Sequence, residues 1–169
     1  GAQWYKNRSG LLRLFAETVR RLPRPAALVY VGPPFEAEQT ALLQTLKIEK
    51  RVLRIPSLTD EELRAAYNLA AGLLFPSWEE GFGWPIAEAQ ACGCPVFTSN
   101  RPPMSEVAGP GALTFDPARP DEAAERIVQG LASPEPLRAA GRQNSLRWDP
   151  QVMLDAYWKI YDSLVPPPS

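Results

Sequence analysis

The sequence has 169 residues, a formal net charge of −1, 19 prolines, two cysteines and no histidine. Without histidine, the chain holds no Ser-His-Asp or Cys-His machinery and no His-ligated zinc or haem. Cys92-Gly93-Cys94 is neither a zinc ligand set nor a disulfide framework. A charge this close to zero lacks the electrostatic footprint of a general nucleic-acid binder. No apolar run approaches the ~20 residues of a membrane span, and Gly1-Ala2-Gln3-Trp4-Tyr5-Lys6 does not follow the pattern of a signal peptide.

Ser9 is placed to cap a helix over 9–22, whose apolar stripe is Leu11, Leu12, Leu14, Phe15, Val19 and Leu22. Residues 26–31 form an apolar run without polar alternation, bounded by Pro25 and Gly32, the pattern of a buried strand. A helix over 36–47 and a strand over 51–55 follow. Thr59-Asp60-Glu61-Glu62 is a capping box that opens a helix over 60–70. Short strands are expected at 73–75, 95–98 and 113–115, with a helix over 85–92 between the first two. Helices over 121–131, 136–147 and 150–164 close the chain. The prolines number about twice the average usage of roughly 5%. They fall at element boundaries, as Pro56, Pro76, Pro85, Pro120 and Pro150 do, and only Pro166-Pro167-Pro168 reads as a tail.

Short apolar strands alternating with helices predict an α/β fold: a doubly wound, Rossmann-like parallel sheet with helices on both faces. Length and the absence of a linker or repeat give one domain over 1–169. Ligands on such sheets bind beyond the carboxyl ends of the strands, here after Val31, Ile55, Phe75 and Thr98.

One of these loops concentrates chemistry. In Phe75-Pro76-Ser77-Trp78-Glu79-Glu80-Gly81-Phe82-Gly83-Trp84-Pro85, two glycines flank Phe82 and let a ligand approach the backbone closely. Pro85 pre-sets the first turn of the following helix, whose amino end and free N–H groups favour a phosphate. Glu88, one turn in, can accept both hydrogen bonds of a vicinal diol such as a ribose. Glu80 lies on the other side of a pyrophosphate bound there. The plainer alternative is a common strand-to-helix glycine turn, with Glu88 complementing the helix dipole.

Glu80-Gly81-Phe82-Gly83, with Glu88 eight positions on and Ala89-Gln90-Ala91-Cys92-Gly93-Cys94-Pro95-Val96 after it, resembles the signature of retaining glycosyltransferases of the GT-B fold. The group is that of glycogen synthases, sucrose synthases and bacterial mannosyl- and glucosyltransferases. Residues 52–69, Ser105-Glu106-Val107-Ala108-Gly109, residues 112–117 and the basic loop Tyr5-Lys6-Asn7 resemble further segments of that group in the same order. The resemblance implies one half of a GT-B enzyme, its donor-binding carboxyl-terminal domain, with the first strand and an N-terminal acceptor domain lying outside this chain.

The resemblance also implies roles. Glu88 would hold the ribose of a UDP-, GDP- or ADP-sugar, and Glu80 would contact hydroxyls of the donor sugar. The amides of Gly81, Phe82, Gly83 and Trp84 would face the sugar and diphosphate, and Lys6 would neutralise the diphosphate as it leaves. The base would sit against residues 54–58. The family's arginine before the lysine is missing from Ala2-Gln3-Trp4-Tyr5, and Arg8 is the nearest replacement. Pro56 stands where the family usually has glycine. No Asp-x-Asp pair occurs, which disfavours the metal-dependent donor site of the other common glycosyltransferase fold, and no cofactor is implied. Implied partners are the acceptor domain and a glycan or lipid acceptor, in the cytoplasm or at the inner membrane face. Arg13, Arg20, Arg21 and Arg24, interleaved with Glu17, read as a solvated helix face, with peripheral membrane contact a minor use. Rival readings are a non-catalytic Rossmann-like binding or scaffold module and a GT-B nucleotide-sugar epimerase. Cys92 and Cys94 read as small packed groups. Trp148, Tyr157, Trp158 and Tyr161 read as packing against the sheet or a neighbouring domain.

Overall fold

The computed structural model describes residues 3–164. Gly1 and Ala2, at the start expected to follow a first strand, and the Pro166-Pro167-Pro168 tail lie outside the described residues. The order is α1 (Arg8–Arg21), β1 (Leu28–Val31), α2 (Ala37–Leu46), β2 (Val52–Ile55), α3 (Asp60–Leu69), β3 (Leu73–Phe75) and α4 (Trp84–Ala91). It continues with β4 (Val96–Ser99), α5 (Met104–Ala108), β5 (Ala112–Phe115), α6 (Pro120–Ala132), α7 (Glu135–Ser145) and α8 (Pro150–Leu164). Every strand pairing is parallel, as the alternation of short apolar strands with helices requires.

The strands β3, β4 and β5 form one ladder in the order β3-β4-β5. All of β4 is buried, and its alternating side chains show why. Val96 packs into a cluster with Tyr67, Ile86, Ala87 and Met104 from α3, α4 and α5. Its neighbour Phe97 points the other way, among Leu14 of α1 and Ala123, Ala124 and Ile127 of α6. Burial on opposite faces by consecutive residues is the double winding expected from the sequence.

β1 and β2 form a separate two-stranded ladder, with Leu28 opposite Val52 and Val31 opposite Ile55. The two ladders are bridged by packing. On α1, Leu12 and Phe15 enter the cluster beneath β1 and β2 while Leu14 enters the one beneath β4, and Leu74 of β3 touches both. The run 26–31 is therefore covered on one face. Leu28 packs inward, whereas Val29, Val31 and Leu53 are 50%, 40% and 58% exposed.

Three local expectations change. Asn7, not Ser9, caps α1: its Oδ1 accepts the Gly10 N–H at 3.2 Å, and the helix begins at Arg8. The Ser9 hydroxyl instead donates to Glu38 at 3.0 Å. A short helix, α5, follows Pro102-Pro103, where the sequence offered no periodic stretch long enough to signal one. On α8, Tyr157, Trp158 and Tyr161 are exposed, so of the two packing partners expected for them, the sheet or a neighbouring domain, the sheet is not the one. The Thr59 capping box is present with both reciprocal bonds, at 3.2 and 2.8 Å. Pro120 and Pro150 open α6 and α8 as expected.

Candidate functional site

The loop 76–83 leaves the carboxyl end of β3 and enters α4, and the amino-terminal loop is tied beside it. Trp78 N–H donates to the Tyr5 carbonyl at 2.7 Å. The Asn7 amide donates to the Pro76 carbonyl at 2.8 Å, in a buried position. Asn7 has φ +50°, a left-handed conformation that asparagine tolerates better than most residues. It turns the chain so that Lys6 faces the loop while α1 runs away from it.

These ties bring together two residues 74 positions apart. Lys6 Nζ donates to Glu80 Oε1 at 2.8 Å and to Oε2 at 2.9 Å. The Glu80 side chain is 8% exposed, and the Ser77 hydroxyl also donates to its Oε1, at 2.8 Å. Ser77 is itself buried. The carboxylate is thus compensated by a cation and a hydroxyl, as a buried charge must be. The Lys6 ammonium also lies 5.6 Å from the Tyr5 ring centroid and 5.7 Å from that of Phe75.

Beyond Glu80 the backbone turns sharply. Gly83 has φ +101° and forms the cap of α4, a conformation that a side chain would strain. Gly81 differs: a Cβ there would meet nothing within 4 Å, so internal packing does not demand glycine. Among the described residues, the amides of Gly81, Phe82, Gly83 and Trp84 donate no hydrogen bond within the chain. They are unpaired donors at the positive end of α4. Pro85 occupies the first turn, where its missing N–H costs nothing. Phe82 is held between Trp84, at 4.6 Å between ring centroids, and Trp148, at 4.9 Å edge-on.

Glu88 lies exposed on α4 one turn further along, where the buried Tyr67 of α3 donates to its Oε2 at 3.1 Å. Burial and the neighbouring Glu88 carboxylate push the Tyr67 phenol far above the usual tyrosine range. Behind α4, Gln90 is fully buried. It donates to the Ala108 carbonyl at 2.8 Å and accepts from Asn144 at 2.8 Å, and Asn144 also donates to the Val107 carbonyl at 2.8 Å. That network fixes α4, and with it those amides, against α5 and α7.

Arg8 is not brought to Lys6 or Glu80. It opens α1 and turns to the loop after β1, with a 3.5 Å contact to the Pro34 carbonyl. Arg54, in the segment expected to face the base, donates to the Gly32 carbonyl at 2.8 Å. Glu17 pairs with both Arg20 and Arg21 on the surface of α1, which compensates these two arginines of the basic stripe. Cys94 is buried, with its thiol pushed up to about 11 by desolvation, and Cys92 is half-buried. Two surface concavities lie elsewhere, one lined by Met153, Leu154, Tyr157, Trp158 and Tyr161 and one by Lys47, Glu49, Lys50 and Arg51. Neither is lined by residues of the Glu80 loop.

Sequence reasoning missed Asn7, Ser77 and Tyr67. The first had a signal: asparagine directly before a periodic helix is a strong cap. The other two act through pairings that no local pattern announces.

Residues 2–148 match the protein family described as glycosyl transferases group 1. The chain belongs to that family. The D-inositol 3-phosphate glycosyltransferase of Corynebacterium jeikeium is 30% identical over 169 residues, covering 92% of this chain and 40% of that protein. The O-antigen chain mannosyltransferase B of Escherichia coli is 43% identical over 72 residues, 43% of this chain and 19% of that protein. Among solved structures, the sucrose-phosphate synthase of Thermosynechococcus elongatus superposes with a TM-score of 0.78 at 23% identity, over 95% of this chain and 44% of that one. HepE of Anabaena, in complex with UDP and glucose, gives 0.80 at 20% identity, over 95% of this chain and 46% of that one. These neighbours are GT-B glycosyltransferases, and the likeness establishes the α/β fold expected from the sequence. The chain spans less than half the length of each of these proteins.

Proposed function

We propose that this chain is the donor-binding half of a retaining glycosyltransferase that transfers a hexosyl group from a nucleotide diphosphate sugar without a metal ion. The observation that carries the reading is the Lys6–Glu80 pair set beside the unpaired amides of residues 81–84. Breaking the bond between the sugar and the diphosphate builds negative charge on the phosphate oxygens. A fixed ammonium and unpaired N–H donors at a helix end stabilise that charge. Lys6 is the group for the leaving diphosphate, with the amides of Gly81, Phe82, Gly83 and Trp84 lining it. Glu80 accepts from hydroxyls of the donor sugar, and Glu88 accepts from the ribose. Arg8 stands too far toward Pro34 to serve beside Lys6 in this conformation, so Lys6 carries the cationic role.

Family membership supports the reaction class. The complexes of HepE with UDP and glucose, and of the pneumococcal O-GlcNAc transferase GtfA with UDP and GlcNAc, support a nucleotide sugar as the ligand class. In our reading the rest of the cleft, including the acceptor site for a glycan or lipid, belongs to a second domain. A chain spanning under half of its relatives and the exposed apolar residues of α8 support this. The 169-residue chain by itself binds donor weakly and transfers nothing.

Calorimetric or NMR titration with UDP-, GDP- and ADP-sugars tests the reading. Binding of at least one is expected, and no response to any of them at millimolar concentration would sink it. In the enzyme with its acceptor domain, release of nucleotide diphosphate should depend on acceptor, and Lys6→Ala and Glu80→Ala should each lower it.

A further inference from the structure

We infer that Tyr67 is a positioning residue for Glu88, holding one carboxylate oxygen so that the other is presented to the ligand. The inference rests on the reading of Glu88 as the ribose carboxylate and adds to it a residue on a different helix. A glutamate on an exposed helix face samples several rotamers, and a ligand that needs one of them must select it at an entropic cost. Here the hydroxyl of Tyr67 reaches Oε2 of Glu88 at 3.1 Å from a side chain that is 9% exposed and packed among Ile86, Ala87, Ala89 and Val96. A ring so enclosed cannot follow the carboxylate, so the carboxylate is held to the ring. Oε1 of Glu88 has no partner among the described residues and is left to accept from a diol.

The chemistry of the pair supports a one-way bond. Glu88 as a carboxylate is an acceptor only, and the phenol beside it is the donor. Desolvation and the adjacent negative charge both disfavour the phenolate, so the donor persists across the working pH range. Tyr67 also lies on α3, the helix that follows the segment 54–58, the end of β2 and the turn after it. The segment assigned to the base and the residue that aligns the ribose carboxylate therefore share one stretch of backbone.

The test is a pair of substitutions read with paired ligands. Tyr67→Phe removes the hydroxyl and keeps the ring, so the cluster around Ile86 and Val96 stays filled. Calorimetric affinities are measured for UDP, GDP and ADP, and for their 2′-deoxy counterparts, on the wild-type chain, Tyr67→Phe, Glu88→Ala and the double variant. Expected is a ribonucleotide affinity weakened roughly 3- to 10-fold in Tyr67→Phe, the range set by freeing one long side chain. Affinity for the 2′-deoxy form should change less, so the ratio between the two falls. In the Glu88→Ala background, Tyr67→Phe should add nothing. An unchanged ratio in Tyr67→Phe, with the ratio abolished in Glu88→Ala, overturns the inference and leaves the ribose reading intact. An unchanged ratio in both variants, or a wild-type chain that binds none of the three nucleotides, overturns the ribose reading and the inference with it.

Discussion

Replacing Asn7 should damage stability and the site together, through separable causes. In Asn7→Ala the α1 cap is lost, since Oδ1 no longer accepts the Gly10 N–H; such a loss costs about 1 kcal/mol. The buried Pro76 carbonyl loses its donor, and an unsatisfied buried acceptor costs about 1–3 kcal/mol. Alanine must also hold the left-handed conformation at φ +50°, which costs about 1–2 kcal/mol. The sum is about 3–6 kcal/mol, a fall in melting temperature on the order of 10 °C for a domain of this size. Asn7→Gly removes the same two hydrogen bonds but relieves the backbone, so it should recover about 1 kcal/mol of the loss. Asn7→Asp keeps a capping oxygen but turns a carboxylate toward the Pro76 carbonyl, so it should restore the cap and not the tie.

Urea denaturation of the three variants, alongside nucleotide titration, measures both effects. Asn7 variants should weaken diphosphate binding because Lys6 is no longer held against the loop 76–83. Lys6→Ala should weaken binding to a similar degree and should itself lower the urea midpoint, because it leaves the Glu80 carboxylate, 8% exposed, with the Ser77 hydroxyl alone. A loss below about 1 kcal/mol in Asn7→Ala would refute the capping and carbonyl assignments, given the magnitudes they carry. Unaltered diphosphate binding at full destabilisation would refute the claim that Asn7 positions Lys6.

Other outcomes follow from neighbouring geometry. Gly10→Ala should destabilise α1 despite alanine's better helix propensity, because its Cβ would run into the Asn7 carboxamide; the melting temperature decides the sign. Asn144→Ala strips donors from Gln90 Oε1 and the Val107 carbonyl and should cost about 2–4 kcal/mol by denaturation. Gly83→Ala places a side chain at φ +101° and should lower both stability and diphosphate affinity, the latter read by calorimetry. The hydrogen bond from Arg21 holds the Glu17 carboxyl below its usual value. Its stabilising contribution is therefore present above the usual carboxylate range and lost as pH falls through the lowered value. Glu17→Gln should remove that part of the acid dependence, seen as a shallower fall of the denaturation midpoint as the pH drops below the usual carboxylate range.

What the sequence revealed and what it withheld divide along the range of the interactions. Strand and helix positions were legible because proline, glycine and apolar periodicity act within a few residues, as at Pro120 of α6 or the Thr59 box of α3. The turn 80–83 was legible for the same reason, since glycines directly before a helix state their purpose locally. The division of the strands into two ladders was not, because pairing depends on what lies beside a strand. Val29 and Val31 are apolar enough for burial on both faces, yet only the face carrying Leu28 is covered.

The site makes the same point more sharply. Glu80 and Lys6 could each be singled out, but their partnership spans 74 positions and depends on Asn7 reaching Pro76 and on Trp78 reaching Tyr5. Those ties involve backbone carbonyls, which every residue possesses, so the sequence carries no mark of them on the accepting side. Tyr67 is the extreme case. On α3 it reads as one more core aromatic, and its ring does serve the core. Its hydroxyl acquires a second use only because α4 brings Glu88 within 3.1 Å. A residue whose apolar body satisfies the packing pattern conceals whatever its polar atom does. The place to look for unrecognised site residues in such a domain is therefore among buried tyrosines and serines whose hydroxyls reach a candidate site side chain, as those of Tyr67 and Ser77 reach Glu88 and Glu80.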